Sequence, residues 1–257
     1  MSQLDFYDAR CDLAAAFRLT ARMGWHEAVA NHFSLSVSDD GRKFLINPSG
    51  VHFSRMKASD LIVCDADDRE ATFAGARQPD PTAWGIHSAF HRHAPQARAC
   101  LHVHPISAVA FSALKDPVLP PIDQNCARFY RRYGYDDGFE GMGFDDEGER
   151  IAGTLGEHRI LVMGNHGVMA AADSVARAYD ELYYFEKACA TYMTAAATGL
   201  PLKVLSDNVA EATAHQWETY PGEAWHQHFG AMRAILDEEE PSYRHCLLYT
   251  SPSPRDA

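Results

Sequence analysis

A single α/β domain is the fold class this sequence predicts, on three observations. Apolar residues recur at helical spacing in some segments and alternate with polar ones in others. The two kinds of segment are interleaved, and no linker divides them. The 257 residues, 46% hydrophobic and 23% charged, have ordinary globular composition, which excludes collagen-like, low-complexity and coiled-coil architectures.

Residues 4–23 read as an amphipathic helix, with Leu4, Tyr7, Cys11, Ala14 and Phe17 at helical spacing and Gly24 as the stop. Phe33, Leu35 and Val37 then alternate with serines, Asp39-Asp40-Gly41 is a turn, and 43–47 resumes as the second strand of a hairpin. Pro48-Ser49-Gly50 breaks it, and 61–64 is a short strand before the acidic turn 65–68. Pro81 opens a helix over 82–93. Residues 97–103 form a strand, and Pro105 begins a helix to about Leu114. Residues 115–143, rich in Pro, Gly, Tyr and Arg, read as an excursion over a cleft. A helix over 145–155, strands at 159–163 and 168–172 around a turn at 164–167, and the strongest helix of the chain follow. Asp173 caps that helix, Val175, Tyr179, Leu182, Phe185, Cys189 and Met193 form its buried stripe, and Gly199 with Pro201 ends it. Helices near 206–219 and 222–239 complete the domain. Residues 245–257 lose all periodicity and are set apart as a disordered or non-native tail.

Lys and Arg number 23 against 35 Asp and Glu, a net charge of −12. Such a surface repels nucleic acid and anionic lipid, and no stretch is apolar enough to span a membrane. No secretory leader is visible, and the six scattered cysteines lack a C-x-x-C pair, so a reducing, cytoplasmic location is expected.

The chemistry concentrates in histidines, of which there are 14. Residues two apart on a strand share a face, so His102 and His104 aim two imidazoles one way, and His166 on the 164–167 bend can close a three-nitrogen site. Three neutral imidazoles with an open position suit a catalytic divalent metal. The H-x-H pair alone is weak, because shuffling this composition yields roughly 0.8 such pairs.

The surroundings of these histidines strengthen the reading. Ala30-Asn31-His32-Phe33-Ser34, Asn47-Pro48-Ser49-Gly50, residues 56–63, Leu101-His102-Val103-His104-Pro105 and Asn165-His166-Gly167-Val168 occur in an order that resembles the class II aldolase/adducin family, from the first helix to about Arg244. The resemblance implies a three-layer α/β/α sandwich around a mostly antiparallel sheet. It implies a divalent metal held by His102, His104 and His166, zinc above all, with manganese, iron or cobalt as alternatives. It also implies a homo-oligomer, a tetramer by preference, with active sites at subunit interfaces, and a small-molecule substrate whose anion cradle survives in part as Asn31, Ser49 and Gly50; Thr82 and Gln124 are further candidate substrate contacts.

One departure bears on the reaction. Where the sugar-phosphate aldolases of the family carry Ser-Ser-Glu-Trp, with the Glu as acid/base, this chain has Pro81-Thr82-Ala83-Trp84, and Ala83 transfers no proton. His32, His87 and Glu140 are the candidates to take over, His87 lying one helical turn from Ala83. Arg128, Arg131 or Arg132 are candidates to hold a substrate carboxylate. The leading expectation is a metal-dependent lyase, of retro-aldol or decarboxylase type, on a small oxygenated carbonyl or acid compound. An adducin-like binding module and a non-haem iron oxygenase using the same histidines are the alternatives.

Overall fold

The structure, a computed structural model, describes residues 5–141 and 147–246. Among these residues seven strands form one sheet: β1 (His32–Ser36), β2 (Lys43–Ile46), β3 (Ile62–Asp65), β4 (Ala99–Val103), β5 (Gly134–Asp136), β6 (Ile160–Met163) and β7 (Gly167–Ala172). Their spatial order is β3-β2-β1-β4-β7-β6-β5. Neighbours are antiparallel except β5 beside β6, so the sheet is mostly antiparallel as expected.

Strand alternation divides the chain's apolar residues between two faces. One face, with Phe33, Leu45, Leu101, Val103, Val162 and Ala170, packs against α1 (Tyr7–Arg22), α4 (Ile106–Ser112) and α7 (Val175–Ala196), with α9 (Ala224–Glu239) laid on α7 and α1. The other, with Cys100, Leu161, Met163 and Met169, meets α3 (Pro81–His93) and α6 (Glu147–Leu155). The result is a helix–sheet–helix sandwich. α7 anchors the first layer: Val175, Tyr179, Leu182, Phe185 and Cys189 are buried, while Met193 is partly exposed. Each of the larger of these side chains stabilises the fold by about 1.5–3 kcal/mol.

The helix ends differ from the sequence reading where a neighbouring residue caps better. Ser174, not Asp173, caps α7, its hydroxyl accepting from the Arg177 amide, and α7 stops at Ala196, before Gly199 at φ 68°. Three elements escape the periodicity argument because each is too short to show a period: α2 (Arg69–Ala74), α5 (Gln124–Arg128) and β5. The last two lie in the supposed excursion, which is in part ordered structure. At Gly134 a Cβ would stand 2.8 Å from the Thr154 carbonyl, so β5 reaches β6 and α6 only with glycine there. α8 (Asp207–Glu218) packs against α5. Of the segment set apart as a tail, His245 accepts from the Ser59 amide at 3.0 Å, and 247–257 lie outside the described residues.

Candidate metal centre

β4 and the β6–β7 turn build the site. His32 and His102 are register partners on β1 and β4, on the face that α3 covers. β4 ends at Val103, and Pro105, which has no N–H to extend the ladder, turns the chain into α4 just past His104. Glu186 of α7 accepts from the Ser107 and Ala108 amides at the start of α4, the role Pro105 cannot fill. His166 sits on a tight turn whose amide returns to the Met163 carbonyl, with Asn165 in the left-handed region at φ 56°. At Gly167 a Cβ would come within 2.5 Å of His104 Cδ2 and 2.7 Å of the Val103 carbonyl, so the turn and His104 approach closely only because that residue has no side chain.

The geometry brings all three predicted ligands together: one ring nitrogen each from His102, His104 and His166 lie within 4.8 Å of one another. Their hydrogen-bond partners define which nitrogens are bare. His102 Nδ1 faces the Val168 carbonyl at 3.1 Å, and a carbonyl only accepts, so Nδ1 carries the hydrogen. His104 Nδ1 faces a Glu27 carboxylate oxygen at 2.7 Å with the same consequence. The two Nε2 atoms are then both lone pairs, and they stand 2.9 Å apart. His166 Nδ1 is buried with no partner. Protonation is an expensive answer, because burial, then His104, His32 and His166, pushes His102 well below the imidazole range. Burial, then His104, likewise lowers His166 to about 4. A divalent cation satisfies both Nε2 lone pairs at once, with a ring nitrogen of His166 as third donor. A tetrahedral ion with bonds near 2.05 Å would space two nitrogens about 3.4 Å apart, a small adjustment. The donor set fits a divalent metal.

The other predicted site residues scatter. Asn31 is buried beside His32. Its Oδ1 accepts from the Glu27 amide at 2.6 Å, and its Nδ2 has no partner. Ser49 and Gly50 form an exposed turn, with the Ser49 amide donating to Gln78. Thr82 is held by its amide and hydroxyl on Asp80, the cap of α3. Gln124 lines a separate cavity with Tyr184, Trp217 and Tyr220. Glu140 is exposed on the loop whose Phe139 ring lies 5.9 Å from His166.

His87 does not stand in a vacated space beside Ala83. The Ala83 methyl belongs to an apolar cluster with Phe44, Ile46, Cys64 and Ala66, and His87 lies behind His32 with both ring nitrogens engaged. Arg128 and Arg132 are not free to hold a substrate carboxylate, because the first is paired with Asp180 and Glu181 and the second with Glu211 and Glu218. Arg131 is drawn toward Asp207 at 3.8 Å.

Two carboxylates were missed by sequence reasoning. Glu27 orients His104 across 77 positions of chain, and no local pattern around Trp25-His26-Glu27 announces it. Asp80 interacts electrostatically with His32. Burial works against its charge, yet hydrogen bonds from Thr82 and the Ala83 amide hold its carboxyl below the usual range.

Comparison with known proteins places this geometry. Residues 11–193 match the model of the class II aldolase and adducin N-terminal domain. A putative aldolase class 2 protein of Caulobacter vibrioides is 31% identical over 247 residues, covering 92% of each chain. The decarboxylase NovR of Streptomyces niveus is 29% identical over 80% of this chain and 79% of its own. The crystal structure of an aldolase II superfamily protein from Pseudomonas syringae superposes with a TM-score of 0.84 at 31% identity, over 93% of this chain and 96% of that one.

Proposed function

The chain belongs to the class II aldolase and adducin family, and within it we propose a metal-dependent carbon–carbon lyase acting on a small oxygenated carbonyl or acid compound, by decarboxylation or retro-aldol cleavage. The observation that carries the reading is the pair of bare Nε2 atoms of His102 and His104, 2.9 Å apart, with a ring nitrogen of His166 within 4.8 Å. A bound divalent ion, zinc in this reading with manganese, iron or cobalt as alternatives, would supply Lewis-acid polarisation of a substrate oxygen.

The chain's own residues do the rest. Glu27 fixes the His104 tautomer and ring orientation. Asn31 Nδ2 donates to a substrate oxygen, which explains a buried amide otherwise left without an acceptor. Phe139 sets an apolar ring edge-on against His166, on the loop beside the site. With an alanine in an apolar cluster at position 83, a reaction that begins by stripping a proton from carbon is poorly served. Release of carbon dioxide needs no such step, and a relative of that activity supports the choice. His32, whose Nδ1 stands 2.7 Å from His87 Nε2 and on which Asp80 acts electrostatically, is the imidazole we assign to relaying a proton to the product, with Glu140 on the adjoining loop.

We place the site at a subunit boundary of a homo-oligomer, a tetramer by preference: Ile106, two residues past His104, is 82% exposed. Cytoplasmic residence is supported by six free cysteines, five of them buried, and no helix among the described residues is long and apolar enough to cross a membrane.

The test is metal content by elemental analysis, paired with turnover of small hydroxy and keto acids under argon. At least one metal per chain, one equivalent of it lost in His166→Ala, with oxygen-independent scission supports the lyase. Turnover that requires dioxygen and iron would give the site to the oxygenase reading. The packing of Ala83 also favours a non-catalytic, adducin-like module, and a chain that takes up no metal on titration would establish that reading instead.

A further inference from the structure

One rung deeper on the same sheet face, a second set of donor side chains converges. Ser34 and Cys100 are register partners on β1 and β4, as His32 and His102 are, and alternation puts all four on the face covered by α3. α3 lays His87 and His91 over that rung, four positions apart and so on one helix face. Ligand atoms of His87, His91 and Cys100 lie within 4.8 Å of one another, and all three residues are buried. The Ser34 hydroxyl stands between, 2.5 Å from His87 Nδ1 and 2.8 Å from His91 Nε2.

We propose that His87, His91 and Cys100, with the Ser34 hydroxyl as fourth donor, form a second and closed site for a thiophilic divalent cation such as zinc. Two histidines spaced H-x3-H on a helix, facing a cysteine, are the donor types of structural zinc sites. Four protein donors leave no open position, so the ion would pin α3 to β1 and β4 and take no part in turnover. Without it the same atoms close as a hydrogen-bond chain in which the Ser34 hydroxyl bridges two ring nitrogens, donating one bond and accepting the other. A cavity of about 70 Å3 beside the β1–β2 turn is lined by His91 with Asp39, Asp40, Gly41, Arg92 and Arg98. The inference does not depend on the chemistry of the triad.

Cobalt titration of the metal-stripped full chain tests it. Two equivalents should bind, one of them producing thiolate-to-cobalt charge-transfer absorption. Cys100→Ser should lose that absorption and one equivalent, whereas His166→Ala should lose one equivalent and keep the absorption. Saturation at one equivalent without the band, or a band that survives in Cys100→Ser, overturns the proposal. Should Cys100→Ser fail to fold, X-ray absorption on the wild-type zinc protein decides. A sulfur scatterer at about 2.3 Å supports the site, and a shell of nitrogen and oxygen alone rejects it.

Discussion

His102, His104 and His166 cluster at the open end of β4, and His32, His87 and His91 lie between β1 and α3. In the first group His102 is buried and His104 and His166 are part-exposed, held by a strand end and a tight turn, and the ring nitrogens converge with hydrogens locked away on Val168 and Glu27. In the second group the rings are buried, and the nitrogens that face one another are linked through Ser34 and to each other at 2.5–2.8 Å. The chemical capacity of a histidine follows from which lone pairs its neighbours leave unused rather than from its presence in a cluster.

The largest expected effect breaks the first group. His102→Ala or His166→Ala should abolish metal binding at the triad, and retention of full affinity there would falsify the assignment. Glu27→Gln is a finer cut, because it keeps the shape and removes the carboxylate that polarises His104. Metal affinity or turnover should fall roughly 10–100-fold with little change in Tm. An unchanged affinity would return Glu27 to the status of an exposed loop charge.

The second group is probed by acid. Burial, with Arg98 adding to it, lowers His91 to about 3, and burial, with His104 adding to it, lowers His32 to about 3. In the unfolded chain both titrate near 6.5. The unfolded state therefore binds more protons between pH 6.5 and about 3. The stability that neutral burial represents is present above pH 6.5 and is lost as pH falls through that window, at up to about 1.4 kcal/mol per pH unit for each group. Urea unfolding of the metal-free protein from pH 7 to 5 should show this slope, and His91→Gln should reduce it by one proton. An identical slope in the variant would mean that His91 is not held neutral.

The sequence made the triad legible through strand alternation and the Asn165-His166-Gly167 turn, and it made the long elements legible through their periods. What it hid is contact between distant positions. Glu27 on His104, Glu186 on the start of α4 and the pairing of Arg128 with Asp180 join segments that no local pattern links. β5 was hidden for a different reason: a three-residue strand has no period to read, and its partner is chosen by the space that Gly134 leaves. The misplacement of His87 came from counting helical turns, which gives the face of α3 but not the depth at which His32 intervenes.

The smallest effects separate the two residues that flank His166. Asn165 occupies the left-handed region, which asparagine tolerates and glycine enters freely, so Asn165→Gly should change stability by no more than about 0.5 kcal/mol and leave metal affinity intact. Gly167→Ala changes one methyl as well, but that methyl meets the His104 ring at 2.5 Å and the Val103 carbonyl at 2.7 Å, and of these only the ring can yield. It should cost about 1–3 kcal/mol and weaken metal binding by displacing His104 from Glu27. If both variants bind metal equally well, the turn tolerates movement of His104, and the close approach at Gly167 is packing without consequence for the site.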